Sequence, residues 1–183
     1  MSSETIWCEH AWCDGDIADS VLISTADGRV TAIETDGRPA AGSNVLRGLV
    51  IPGMANAHSH AFHRALRGRT QRDRGSFWTW RKVMYEAAEQ LTPERYRVLA
   101  TAVYAEMALA GITAVGEFHY LHHDTGGRRY ADPNEMGKAL IAAAADAGIR
   151  LTLLDTCYLR SGLDGAPLAQ GPQQRFGDGS AVD

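Results

Sequence analysis

The spacing of apolar positions changes character along the chain. Between residues 5 and 34 it is that of β-structure. Runs at 5–12, 21–25 and 29–34 are rich in Val, Ile, Thr and Trp, and the last two flank Ala26-Asp27-Gly28. Asp-Gly between two such runs predicts a tight hairpin, whose central positions need positive φ. Residues 36–44, rich in Gly, Pro, Ala and Ser, then loosen the chain. This unit has few core residues and would need a partner surface.

From residue 49 the period changes. The apolar run at 49–51 passes through Pro52-Gly53 into a strand predicted over 49–57. Residues 76–90 read as a helix. A second helix starts behind Thr92, a suitable N-cap, with Pro93 in its first position. Leu99, Val103, Met107 and Ala110 share one side of it, and Gly111 is placed to end it. Residues 112–118 form an apolar strand. The same order then returns. Asp132-Pro133-Asn134-Glu135 has the form of a capping box, an Ala-rich helix runs to Ala147, Gly148 stops it, and 149–156 is another apolar strand. Helices alternating with continuously apolar strands indicate parallel βα units covered on both sides. From Ser161 onward no apolar period remains. Three parallel strands are fewer than the eight of a (β/α)8 barrel, which typically takes about 250 residues, so the expected architecture is α/β, a partial barrel behind a small β unit.

Composition narrows the class. With 45% hydrophobic and 22% charged residues in 183, the chain is ordinary for a soluble globular protein. A net charge of -4 argues against a general nucleic-acid or membrane-surface binder. No apolar run approaches the roughly 20 residues of a membrane span, and Met-Ser-Ser-Glu-Thr does not open a signal peptide. Three cysteines without a Cys-x-x-Cys pair speak against a disulfide framework and for a reducing cytoplasm.

The chemistry gathers around His58-Ser59-His60. In an extended backbone alternate side chains share a side, so the two imidazoles can meet one ion. They sit at the C-terminal end of the first barrel-type strand, where α/β folds place their chemistry. Five arginines follow within residues 64–74, either a solvated face or an electropositive mouth for an anionic substrate. His119, His122 and His123 read as a polar loop after a strand, Glu117 as a strand residue buried with a basic partner, and Trp78 and Trp80 as packing.

Pro52-Gly53-x-x-Asn56-x-His58-x-His60 after a small β unit resembles the amidohydrolase superfamily, metal-dependent hydrolases on a (β/α)8 barrel. Residues 58–65, 75–85 and 116–124, with Tyr130-Ala131-Asp132-Pro133, look like its formimidoylglutamate deiminase family. The resemblance implies residues 1–48 as part of a composite β-sandwich and 49–183 as the first three βα units of a truncated barrel. It implies hydrolytic deimination of N-formimino-L-glutamate to N-formyl-L-glutamate and ammonia, in histidine degradation, with one Zn2+. His58 and His60 match the first two ligands. Arg81 matches a residue that holds a substrate carboxylate, Tyr120 a substrate-contacting tyrosine, and His63 a contact that is glutamine in the family pattern. The family's third histidine ligand, glutamate proton shuttle, further histidine and aspartate base lie on later strands, so no catalytic residue is assigned here and the chain alone is expected to be inactive. A homodimer is one assembly open to the full-length enzyme. Two alternatives stand beside this reading. One is a related deaminase acting on a purine, pyrimidine or triazine ring; the other is a non-catalytic fragment with at most weak metal binding.

Overall fold

A computed structural model describes residues 3–70 and 75–178. The chain divides into two compact units, Met1–Pro52 and Gly53–Asp183.

The first unit is a four-stranded sheet of β1 (Ser3–Cys13), β2 (Asp16–Ala26), β3 (Arg29–Glu34) and β4 (Asn44–Val50), in the order β3-β2-β1-β4. Two-residue turns close both hairpins. Asp14 and Gly15 have φ of 51° and 91°, and Asp27 and Gly28 have 50° and 74°, the paired positive values that match the twist of antiparallel strands. The hairpin at Asp27-Gly28 was legible in the sequence; the one at Asp14-Gly15 belongs to the same class and was not singled out. The core is small: Cys8, Ala11 and Val21 are buried, with Ile6, Ile23 and Val50 partly so.

β4 corrects the expected strand over 49–57. Its residues pair in parallel with β1, Trp7 beside Val45 and Ala11 beside Val50. A separate strand, β5 (Met54–Ser59), opens the second sheet. Pro52 has no backbone N–H to donate, and Ile51, Pro52 and Gly53 form the break between the two.

The second unit carries α1 (Phe77–Glu89), α2 (Pro93–Leu109), β6 (Ile112–His119), α3 (Glu135–Ala147) and β7 (Arg150–Asp155). The sheet is parallel throughout, ordered β5-β6-β7. This is the partial barrel the sequence called for. The Thr92 hydroxyl accepts the Arg95 N–H, so the cap acts as predicted. The second cap does not. Asn134 precedes α3, while Asp132 accepts the Asn134 N–H and pairs with Lys138. Gly148, at φ 71°, ends α3 in the left-handed conformation.

β6 is two-faced. Val115, Glu117 and His119 are buried on the side of α2, where Tyr96 lies against the His119 ring at 6.4 Å. Gly116 and Phe118 alternate with them on the opposite face, and Tyr120, just past the strand, joins Phe118 against the His58 and His60 rings. A Cβ at Gly116 would come within 2.9 Å of the Ala57 carbonyl oxygen, so the close approach of β5 and β6 needs glycine there. The core of this unit joins Phe62, Leu66, Met84, Tyr96, Tyr104, Leu121, Met136, Leu140 and Phe176. Among the described residues no helix is long and apolar enough to cross a membrane.

Candidate functional site

β5 ends in His58 and Ser59, and His60 begins the turn into a 3-10 helix, Ala61–Leu66. The extended backbone puts both imidazoles on one side, with Nε2 of His58 and Nε2 of His60 2.8 Å apart. His60 Nδ1 lies 3.0 Å from the Phe118 carbonyl oxygen. A carbonyl only accepts, so Nδ1 carries the proton and Nε2 presents a lone pair toward His58. That is how a metal-bound histidine is usually held from behind. Two nitrogens this close share a proton or face one cation, and two imidazoles are a donor set that fits a zinc-type metal. Burial holds the His60 pKa below the ordinary histidine value, against the pull of the Phe118 carbonyl.

Aromatic rings wall this pair. Phe118 stacks on His58 at 5.6 Å, and Tyr120 meets His60 edge-on at 5.2 Å. His63, on the 3-10 turn, lies 4.7 Å from the His60 ring, and its Nε2 is 2.9 Å from the Tyr120 hydroxyl. Burial first, then the neighbouring His60 and His58, push the His63 pKa down to about 4. Its ring is therefore neutral near pH 7. Burial raises the Tyr120 hydroxyl well above its usual range.

Arg81 stands apart from these rings. Its Nε donates to the Tyr85 hydroxyl at 3.0 Å, and its guanidinium lies over the Tyr85 and Trp78 rings at 5.2 and 5.7 Å. Among the described residues no carboxylate pairs with it, and Glu86 lies 3.8 Å from Lys82 instead. A chain of rings, Tyr85 to Phe176 at 5.6 Å and Phe176 to Tyr120 at 5.5 Å, connects it to the histidine group. Trp80 packs against the core and lies edge-on to His63, whereas Trp78, read as packing too, is exposed. The structure thus gathers His58, His60, His63 and Tyr120 directly and places Arg81 two rings away, behind Tyr85 and Phe176.

Of the arginine run, Arg64 forms an ion pair with Glu106, Arg67 is exposed, and Arg72 and Arg74 lie outside the described residues. Glu117 corrects the expectation of a basic partner. It is fully buried, and its Oε1 accepts the Ala61 N–H at 2.6 Å. Burial raises its pKa, with the Ala61 N–H pulling the other way. The carboxylate thus ties the turn after His60 to β6.

The polar-loop reading of His119, His122 and His123 is also corrected, because all three are buried. His122 Nε2 lies 3.0 Å from the Thr156 carbonyl oxygen, and His123 Nε2 meets that of Gly177. His119, His122 and Asp155 bring ligand-type atoms within 4.8 Å of one another. The His119-x-x-His122 spacing was the signal for this group in the sequence.

The chain belongs to the amidohydrolase family, whose sequence model matches residues 49–179. It is similar to a formimidoylglutamate deiminase from Pseudomonas aeruginosa, 48% identical over 159 residues, which are 85% of this chain and 35% of that protein. A crystal structure of an amidohydrolase from Brucella melitensis superposes with a TM-score of 0.89 at 41% identity, over 94% of this chain and 39% of that one. A zinc-complexed atrazine chlorohydrolase from Arthrobacter aurescens shares the fold, with a TM-score of 0.68 at 23% identity over 88% of this chain and 37% of that one. The chain therefore spans somewhat over a third of the length of these relatives.

Proposed function

We propose that this chain forms the first metal ligands and the substrate-gripping wall of a hydrolase that deiminates N-formimino-L-glutamate to N-formyl-L-glutamate and ammonia. The observation that carries the reading is the convergence of His58 and His60 at 2.8 Å beside the His63–Tyr120 pair. The 48% identity to a formimidoylglutamate deiminase supports the choice of substrate.

His58 and His60 would hold the metal. Zinc, when bound there, supplies Lewis acidity and lowers the pKa of a coordinated water. The remaining roles belong to the chain. His63, neutral near pH 7, and the un-ionised Tyr120 hydroxyl bind by hydrogen bonding without adding charge to the mouth. Tyr85 fixes Arg81 through Nε, which leaves the two terminal guanidinium nitrogens for both oxygens of a carboxylate. An acidic, open-chain amidine suits such a wall better than a neutral aromatic ring. The free thiols Cys8, Cys13 and Cys157 agree with a cytoplasmic setting, which is part of the proposal.

The 183 residues alone, supplied with zinc and N-formimino-L-glutamate, are expected to release no ammonia above background, because catalytic zinc normally takes three protein ligands. In a polypeptide that joins them to the family's later barrel strands, turnover is expected. There Arg81→Ala should lower kcat/KM for N-formimino-L-glutamate roughly 10- to 100-fold, the range for lost hydrogen bonds to a charged group. An analogue without carboxylates should lose little. Equal losses on both substrates would remove Arg81 from the site, and no turnover by the joined protein would remove the reaction.

A further inference from the structure

The helix-facing side of β6 carries a second cluster of metal-type donors. His119 ends β6 and Asp155 ends β7, and the two are directly paired neighbours in the parallel register, so their side chains leave the sheet on the same face. This is the face toward α2 and α3, opposite to that of Phe118 and the His58–His60 pair. A Cβ added at Gly137 of α3 would lie 3.7 Å from His119 Nε2, a measure of how closely the helix covers that ring. His122 is folded back over the same strand ends. Its N–H and that of His123 both donate to the Arg175 carbonyl, at 2.9 and 3.0 Å, and the Thr156 N–H donates to the His119 carbonyl at 2.9 Å.

The hydrogen bonds of the cluster leave ring nitrogens without a protein partner among the described residues. His122 Nε2 lies 3.0 Å from the Thr156 carbonyl oxygen, so its proton is on Nε2 and its Nδ1 holds a lone pair in the neutral ring. That Nδ1 faces Asp155 Oδ1 at 3.7 Å, beyond hydrogen-bond range. His119 is 3% exposed, and its Nδ1 has no hydrogen-bond partner among the described residues. His119, His122 and Asp155 thus bring one ligand-type atom each to within 4.8 Å of the others, and a buried ring nitrogen of His119 has no partner among the described residues. Two ligands on a tetrahedral metal, each about 2.0–2.2 Å from it, are roughly 3.4 Å apart, close to the His122–Asp155 separation. The His122 bond to the Thr156 carbonyl is the support a ligating histidine ordinarily has.

We propose that His119, His122 and Asp155 form a second site for a divalent transition metal of the zinc type, on the opposite face of the sheet from His58 and His60. Two imidazoles and one carboxylate favour zinc, cobalt or nickel over calcium or magnesium, which take oxygen ligands. Asp178, whose Oδ1 is 3.7 Å from His122 Nε2, lies behind the ring and belongs to its support. With three protein ligands, the fourth position falls to water. The cluster lies where α3 and the 156–178 segment close over the strand ends, so a metal there would fasten this segment to the sheet.

The test uses the chain with His58→Ala and His60→Ala, which removes the first pair and makes the outcome independent of the proposed reaction. Stripped with chelator and titrated with zinc chloride in a calorimeter, this double variant should bind one zinc per chain. Cobalt(II) should give the visible absorption band of a four-coordinate nitrogen–oxygen site. Adding Asp155→Asn, at a largely exposed carboxylate where folding is not at stake, should weaken zinc by more than the roughly 10- to 100-fold typical of a lost outer-shell partner. Zinc should also raise the thermal midpoint of the double variant and not that of the triple one. No zinc bound by the double variant, or binding unchanged by Asp155→Asn, would overturn the assignment.

Discussion

At the scale of single residues, His63 joins the proposed function to a measurable stability effect. Its folded pKa is about 4 against an ordinary value of 6.5. Between those values the unfolded chain takes up a proton that the folded ring refuses, so stability is full above about pH 6.5 and falls as pH drops toward 4. His119, held at about 3 by burial and then by His122, extends the same loss to lower pH. Glutamine at position 63 can still hydrogen-bond Tyr120 but does not titrate. His63→Gln should therefore shrink the difference in urea midpoint between pH 7.5 and pH 5, measured by circular dichroism with chelator present. An unchanged difference would exclude His63 as a source of the acid sensitivity. The His58–His60 pair was legible in the sequence because the geometry of an i, i+2 pair in a strand is local. The burial of His119 and His122 was not, since it depends on residues 156–178 returning over the strand ends.

At the scale of elements, the helix grammar was read well and the joints between elements less so. Thr92, Pro93 and Gly148 act where they stand, because capping is decided within a few residues. Thr92→Ala should cost about 1 kcal/mol in chemical denaturation. Whether residues 44–50 begin the barrel or complete the first sheet depends on pairing with β1, some forty residues earlier, and no local period reports that. Arg175 is the clearest case. It sits in a stretch without apolar periodicity, in the 3-10 helix Pro172–Phe176, and is fully buried. Its guanidinium donates to the Ala88 carbonyl, to that of Leu91 at 2.8 Å and to that of His123 at 2.9 Å, so it closes the C-terminal end of α1 and the loop after β6 together. Arg175→Met keeps most of the volume and strands three carbonyls. A loss of about 3 kcal/mol or more in urea unfolding is expected; a loss under about 1 kcal/mol would mean that the segment is held by Phe176 alone.

At the scale of the whole molecule, the second sheet is covered on one face by α2 and α3, while Arg150, Thr152 and Leu154 of β7 are exposed or partly so on the other. Among the described residues, β5 and β7 each have one unpaired edge, and Met54 and Leu154 are exposed there. Such edges pair readily with another chain. Light scattering on the 183-residue chain should show self-association that grows with concentration, reduced by Leu154→Lys; a monomer at every concentration would show the edges to be protected. The fold class was readable because helix–Gly–strand occurs twice, and a parallel sheet with helical cover follows from that repetition. The two-sided chemistry of β6 has a further consequence, which is one of parity. Even-numbered residues from 116 to 120 face the His58–His60 pair, and odd-numbered ones from 115 to 119 face the helices. Deleting a single residue upstream of Val115 would exchange the two sets, sending Glu117 and His119 into the mouth and Phe118 among the tyrosines of α2. The ring wall beside the His58–His60 pair and the His119 donor of the second cluster thus hang on one count along one strand, and neither can drift in sequence position without dragging the other across the sheet.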